Sequence, residues 1–242
     1  MKILSWIGGV GLSLSVVFMM LAFSTASMSL DFSGEKPAVK TADRLEWAWD
    51  GGERARIGGP STVHYQPGGS PRIVVRGPAR LLDRVRFRDG ELQLDQDLFG
   101  NFDTMGDRLD ITITGVKLRD IGLSGSTRMD MGEIRQDDLK VSISGSGRFN
   151  ASGSADNLSV RVSGSGTCDV GTLAVHTANV AISGSGRVDS ASPQSADVSI
   201  SGSGRLHFAA IPRDISSHIS GSGRISDDSG QEIDRRSYWR RG

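Results

Sequence analysis

The sequence predicts an all-β protein, a right-handed parallel β-helix (solenoid) with about 19 residues per turn, or rung, and an irregular β cap at its N-terminal end. Three observations predict this fold. A Gly-Ser-Gly motif, or in the first copy Gly-Ser-Thr, recurs six times at intervals of 18 to 20 residues. Apolar and polar residues alternate around each motif, as in a strand with one buried face. Serine, glycine and β-branched residues dominate the region, which disfavours a helix.

The repeat places apolar residues at equal positions of successive rungs. The first glycines of the motifs are Gly125, Gly145, Gly164, Gly184, Gly202 and Gly221. Two positions before them stand Leu123, Ile143, Val162, Ile182, Ile200 and Ile219. Four positions after them stand Met129, Phe149, Cys168, Val188, Leu206 and Ile225. Because rungs stack about 4.8 Å apart, we expect both sets to form apolar ladders inside the coil. Cys168 is therefore expected to be a buried structural thiol, with a reactive or dimerising thiol as the alternative.

Residues 43–118 precede the regular rungs and lack their period. Short alternating runs are separated there by Gly-Gly, Gly-Pro and Asp-Gly turns. We expect irregular β rungs or hairpins that close the solenoid, because an uncovered first rung would expose unpaired strand edges and promote aggregation. The regular rungs are expected over residues 119–228.

The two ends of the chain have compositions of their own. Residues 1–26 combine Lys2 with a mostly apolar stretch and small residues at Ser24 to Ala26, the pattern of a signal peptide. An N-terminal membrane anchor that stays uncleaved, and so contacts the membrane, is the alternative. Residues 27–42 are predicted to be a linker. Residues 229–242 form a basic and aromatic tail, either a solvated end, a cap with Trp239 over the last rung, or a contact with anionic lipid.

The composition excludes several classes of protein and site. Lys and Arg total 28, as do Asp and Glu, so we expect no nucleic-acid binding. One cysteine excludes an intrachain disulfide framework. The four histidines have no metal-ligand spacing, and neither a phosphate-binding loop nor a dinucleotide motif is present. We therefore predict no metal and no cofactor.

One outward column of the predicted solenoid is basic. The arginines that follow the corner are Arg148, Arg187, Arg205 and Arg224, with Arg128 in the first copy and Thr167 interrupting the series. Stacked like charges about 5 Å apart repel by roughly 1 kcal/mol or less in water, so something must offset them. One hypothesis is lateral pairing with the outward column two residues later. That column contains Asp130, Asn150, Asp169, Asp189 and His207. The other hypothesis is a ligand-binding strip for an anionic partner such as an acidic glycan.

The acidic column has a third interpretation, as part of a lyase or hydrolase. Asp169, Asp189 and Arg187 would lie close together on one face, which suits acid–base chemistry. These residues recur with the period, as structural residues do, whereas a catalytic site should interrupt it. We therefore predict that the protein is not an enzyme and has no catalytic residues.

Three segments of the N-terminal half support a family resemblance. They read Val63-His-Tyr-Gln-Pro-Gly-Gly, Arg72-Ile-Val-Val-Arg-Gly-Pro and Leu81-Leu-Asp-Arg-Val-Arg-Phe-Arg-Asp-Gly-Glu-Leu, and the Ser-Gly-Ser-Gly series follows them. From about residue 43 to 228 the sequence resembles the bacterial GIN domain family, described as the head domain of auto-transporter adhesins. The resemblance implies a β-helix fold and a role in adhesion, and it brings no catalytic residues.

Together these observations predict an exported binding or adhesion-type domain of the cell envelope. It would be found in the periplasm, on the outer-membrane surface or outside the cell, with an acidic glycan or an envelope protein as its partner. A periplasmic structural or sensing interaction module is the first alternative, and a polysaccharide-acting β-helix enzyme is the second. The sequence leaves the oligomeric state open.

Overall fold

Alternating apolar residues and small-residue corners fold the chain into a β-solenoid of about five turns, which confirms the predicted fold class. The structure is a computed structural model that describes residues 38–41, 43–49, 52–94 and 107–233. Within these ranges it contains 18 strands and one helix of four residues. Residues 1–26, predicted to be a signal peptide or anchor, lie outside the described residues, as does the tail beyond Ile233.

The N-terminal cap is irregular, as predicted, because its strands pair in both directions. Its elements are β1 (Val39–Thr41), β2 (Arg44–Ala48), β3 (Arg54–Ile57), β4 (Ser61–Gln66), β5 (Arg72–Arg76), α1 (Ala79–Leu82), β6 (Val85–Arg88), β7 (Glu91–Leu94) and β8 (Leu109–Thr114). β5 pairs antiparallel with β2 and β8, whereas β4 pairs parallel with β8. β1 is exposed, pairs antiparallel with β2 and falls within the segment expected to be a linker. Trp47 and Trp49 pack on Phe87 with ring centroids 5.7 and 5.3 Å away, which fills the cap interior.

The regular rungs pair in parallel as far as the strand that ends at Asp227. Their strands are β9 (Asp120–Gly125), β10 (Arg128–Gly145), β11 (Arg148–Gly164), β12 (Thr167–Gly184), β13 (Arg187–Ser190), β14 (Ser195–Gly202), β15 (Arg205–Phe208), β16 (Asp214–Gly221), β17 (Arg224–Asp227) and β18 (Glu232–Ile233). The parallel ladder continues from β9 to β17, and the short β18 then pairs antiparallel with β17. The first rungs stack directly on the cap, because β3 pairs parallel with β9 and β4 with β10.

Both predicted apolar ladders are confirmed, except that Ile219 at the C-terminal end of the first is only half-buried. Ile143, Val162, Ile182 and Ile200 follow one another in register, and each is at most 2% exposed. The second ladder contains Phe149, Cys168, Val188, Leu206 and Ile225, all of them buried. The first ladder stacks β-branched side chains, which suit a pleated surface, whereas the second mixes shapes and places Phe149 directly on Cys168.

Each corner of the regular rungs requires glycine for two reasons. Gly184 adopts a φ of 109°, in the region that other residues rarely enter. A Cβ atom built at Gly184 would also lie 2.7 Å from the carbonyl oxygen of Gly164 in the rung before. That carbonyl accepts a hydrogen bond from the Ser185 N–H at 2.9 Å, so the rungs approach closely at the corner. The Gly-Ser-Gly period is thus a consequence of stacking.

The described residues contain no helix of the length and apolarity that crossing a membrane would require.

Candidate functional site

The predicted arginine column forms on the outer face of the strands that follow the corner. The register aligns Arg128 with Arg148, Arg148 with Thr167, Thr167 with Arg187, Arg187 with Arg205 and Arg205 with Arg224. All five arginines are exposed, and Thr167 is half-buried. On the cap side the column continues to Thr62, the register partner of Arg128. The result is a straight row of cations at a pitch of about 4.8 Å, interrupted once.

Lateral salt bridges between the arginines and the acidic column were expected, and this expectation is wrong for the described residues. Arg224 pairs with Glu232 at 3.6 Å, in the terminal hairpin. Among the described residues, no salt bridge involves Arg128, Arg148, Arg187 or Arg205. Their guanidinium groups therefore face solvent beside the acidic column without closing on it.

The residues of the acidic column bind closer partners instead. The Oδ1 atom of Asp130 accepts a hydrogen bond from the Gly132 N–H at 2.8 Å, and Asp169 does the same for Gly171 at 3.2 Å. Each carboxylate thus holds the turn that follows it. His207 lies beside Asp189 in the register, yet its Nε2 is 2.7 Å from Asp228 and its Nδ1 is 3.3 Å from Ser226. The hydrogen bonds of His207 are therefore made with the last rung and not with Asp189.

Burial and neighbouring charges shift the pKa of two groups in and beside the acidic column, Asp189 and Cys168. Burial and the neighbouring carboxylate of Asp169 raise the pKa of Asp189, while the charges of Arg187 and His207 act in the opposite direction. Burial, with Asp169 and Asp189 nearby, also raises the pKa of the Cys168 thiol far above its ordinary value. Cys168 is 0% exposed, so the prediction of a buried structural thiol is confirmed. Within the described ranges no three His, Cys, Asp or Glu side chains are grouped as metal ligands.

A groove of about 1260 Å³ lies on the other side of the corner, along the strands that precede it. Its floor contains in-register serines of successive rungs, including Ser144, Ser163 and Ser183. Arg161 interrupts an outward column that otherwise carries small residues across the groove. Its Nη1 donates to Ser159 Oγ at 3.2 Å. This floor offers rows of hydroxyl groups and one guanidinium, while much of the remaining lining is apolar, including Pro60, Leu81 and Leu94 on the cap side.

The cap supplies the rim of this groove. Arg56 donates to Asp120 Oδ2 at 2.9 Å, and Arg108 donates to the carbonyl oxygens of Ser61 and Ser126 at 2.9 and 2.6 Å. Sequence reasoning missed the groove, since it forms where the irregular cap meets the regular rungs. The one available signal was Arg161, a charged residue that breaks the small-residue column.

A family model described as "Putative auto-transporter adhesin, head GIN domain" matches residues 54–212. The chain belongs to the GIN domain family. The resemblance inferred from the sequence is thereby confirmed, and the match covers the cap from β3 and the rungs as far as the segment before β16.

Solved structures share the fold of this GIN domain. A structure from Bacteroides fragilis described as a "putative adhesin" is 19% identical, with a TM-score of 0.57 over 76% of this chain and 95% of the other. Two further structures have lower TM-scores. A "putative lipid binding protein" from Parabacteroides distasonis has 0.44 at 19% identity, over 76% and 96% of the two chains. A "putative adhesin" from Parabacteroides merdae has 0.43 at 15% identity, over 83% and 99%. No curated protein matches the sequence. At 19% identity, the likeness to the Bacteroides fragilis structure shows the fold alone.

Proposed function

We propose that this GIN domain is an exported, non-catalytic binding module of adhesion type in the cell envelope, and that its arginine column binds an extended acidic glycan. One observation supports the ligand above all. The column presents exposed guanidinium groups in register, and four of its five arginines form no salt bridge within the described residues. Like charges stacked at this pitch repel, and an anionic polymer lying along them would remove that repulsion.

The shape of the column favours a polymer over a small anion. The row from Arg128 to Arg224 has six positions separated by five rung spacings, a length of about 24 Å. A single small anion on this open face would meet one or two solvated guanidinium groups, an interaction worth little in water. A polymer with repeated carboxylate or sulfate groups would make several such contacts at once, and linked contacts add up to useful avidity. Because the contacts are exposed, we expect added salt to weaken binding.

The neighbouring carboxylates support binding rather than catalysis. Asp130 and Asp169 hold backbone turns, and His207 contacts Asp228 across the last rung. A general acid or base must reach a substrate proton, whereas these groups are engaged with the backbone or with each other. Asp130 and Asp169 therefore have structural roles that account for their recurrence, whereas Asp189 is half-buried with a raised pKa and lies in the field of Arg187 and His207.

The test of the ligand is binding of the full chain to immobilised polygalacturonate. We expect R187S/R205S/R224S to bind about tenfold or more weakly, because three linked contacts are removed. The matched control, R76S/R135S/R213S, removes the same charge from exposed positions outside the column and should bind within about twofold of the parent, since the general field of the protein is screened. An equal loss of binding in both variants would show a nonspecific charge effect and would contradict binding at the arginine column. A loss of binding in R161S, with no loss in R187S/R205S/R224S, would show that the ligand binds in the groove.

The test of location is protease treatment of intact cells. A domain displayed on the surface is degraded in intact cells, which is the result expected for an adhesion module. If the domain survives until the outer membrane is broken, the adhesion role is wrong and the periplasmic interaction module takes its place.

A further inference from the structure

One carboxylate of the acidic column, that of Asp189, lacks the hydrogen bond that its neighbour makes. Asp169 accepts a hydrogen bond from the backbone N–H of Gly171, two residues later, at 3.2 Å. The equivalent residue after Asp189 is Ala191, whose N–H donates to the carbonyl oxygen of Val170 at 3.3 Å instead. Within the described residues, no hydrogen bond or salt bridge involves the Asp189 carboxylate. Hydrogen bonds therefore stabilise the charge of Asp169 but not that of Asp189.

The surroundings of Asp189 also disfavour its ionised form. The register places Asp189 of β13 between Asp169 of β12 and His207 of β15. Arg187 lies two residues earlier on the same face of β13, with Arg205 of β15 opposite it. On its own strand and the two strands paired with it, these four side chains are the charged or titratable ones that share its face. Burial and the like charge of Asp169 raise the pKa of Asp189, and the opposing charges of Arg187 and His207 do not cancel this effect.

We propose that protonation of Asp189 strengthens the binding of an acidic glycan to the arginine column as the pH falls. The proposal rests on the function proposed above. Two residues along a strand are about 7 Å apart, so ionised Asp189 holds a negative charge close to Arg187 and opposes an anionic ligand there. Protonation removes this charge. His207 carries a charge only when it is protonated, so acid changes the two neighbouring groups in the same electrostatic direction.

The coupling between proton and ligand must act in both directions. A polyanion on the arginine column brings further negative charge close to Asp189, and like charge favours the protonated carboxyl. Because linkage is reciprocal, a proton that strengthens glycan binding is itself held more tightly in the complex. Asp189 should therefore be half-protonated at a higher pH in the complex than in the free protein.

The test is binding of the full chain to immobilised dextran sulfate at about pH 7.5 and about pH 4.5, at constant ionic strength. The sulfate groups keep their charge over this range, and ordinary aspartates, with a pKa of about 3.9, stay mostly ionised. We expect D189N to bind about two- to threefold more tightly than the parent at the higher pH, because the opposing charge is absent. Its gain in affinity toward the lower pH should be smaller than that of the parent by the same factor.

The matched control is D156N, which removes one carboxylate from an exposed position of β11 outside both columns. It should keep the parent's gain in affinity. An equal gain in the parent and in D189N would overturn the role of Asp189, while weaker binding by R187S/R205S/R224S would still support the arginine column. If the parent binds at neither pH, or if R187S/R205S/R224S binds as the parent does, the proposed function is wrong and this inference falls with it.

NMR titration of the aspartate carboxyl carbons gives a second measurement, in the parent chain itself. Asp189 should be half-protonated at a higher pH than Asp156, and a short dextran sulfate fragment should raise that midpoint further. R187S should also raise the midpoint, because the favourable charge of Arg187 is lost. A midpoint of Asp189 at or below that of Asp156, or one that the fragment leaves unchanged, would overturn the proposal.

Discussion

In the cap, strands pair in both directions and Trp47 and Trp49 pack on a single Phe87, whereas in the regular rungs each interior position stacks on the same position of the rungs above and below. The cap encloses its core with large side chains fitted individually. The rungs fill their interior with side chains that occupy equal positions of the repeat. The difference shows that a rung residue must satisfy two neighbouring rungs at once, while a cap residue must satisfy one local environment.

The cap and the rungs are expected to differ most in the stability that is lost when a turn glycine is replaced by alanine. Gly184→Ala should destabilise the protein by about 3 kcal/mol or more, because a positive φ is combined with a Cβ only 2.7 Å from the Gly164 carbonyl oxygen. Gly69 in the cap has a similar φ of 87°, but a Cβ atom built there lies in free space. Gly69→Ala is therefore expected to destabilise the protein by only about 1 kcal/mol. Urea denaturation of both variants measures the difference. Equal losses would mean that backbone strain, and not stacking, requires glycine at the corner.

A smaller effect on stability is expected from substitution of Asp120 on β9, where the cap and the rungs join. Burial alone would raise the pKa of Asp120, but hydrogen bonds and charges from Arg56 and Arg54 of β3 and the charge of Lys140 of β10 outweigh it and lower the pKa. A lowered folded-state pKa means that the ionised carboxylate stabilises the native state above the unfolded pKa of about 3.9, and that this stabilisation is lost as the pH falls through the folded value.

Asp120→Asn should therefore cost about 1–2 kcal/mol at pH 7 and progressively less toward pH 3. The measurement is the urea midpoint of variant and parent across this pH range. Asp156→Asn, at an exposed position of β11, is the control and should stay within about 0.5 kcal/mol of the parent at every pH. A loss at Asp120 that is independent of pH would show that the charge of this carboxylate does not contribute to joining the cap and the rungs.

Some of the candidate site could be predicted because it shares the period of the rungs. The arginine column followed from positions counted along the repeat, and the register confirms that those arginines stack. The lateral salt bridges were predicted wrongly, because sequence spacing does not show that Asp130 and Asp169 have nearer backbone donors in their own turns. The groove was missed because cap residues such as Arg56 and Arg108 form its rim, and no period relates them to the serines of its floor.

The sequence by itself determined the solenoid, its corners and its two interior ladders, since each is a local pattern repeated every 18 to 20 residues and stacking places equal positions together. The family followed from the same motifs. Only the tertiary structure decided which cap strand meets which rung, where the groove opens and which charges at Asp120 join the two regions. These features depend on contacts between residues far apart in the chain, such as Arg56 and Asp120, whose proximity has no periodic signal to reveal it.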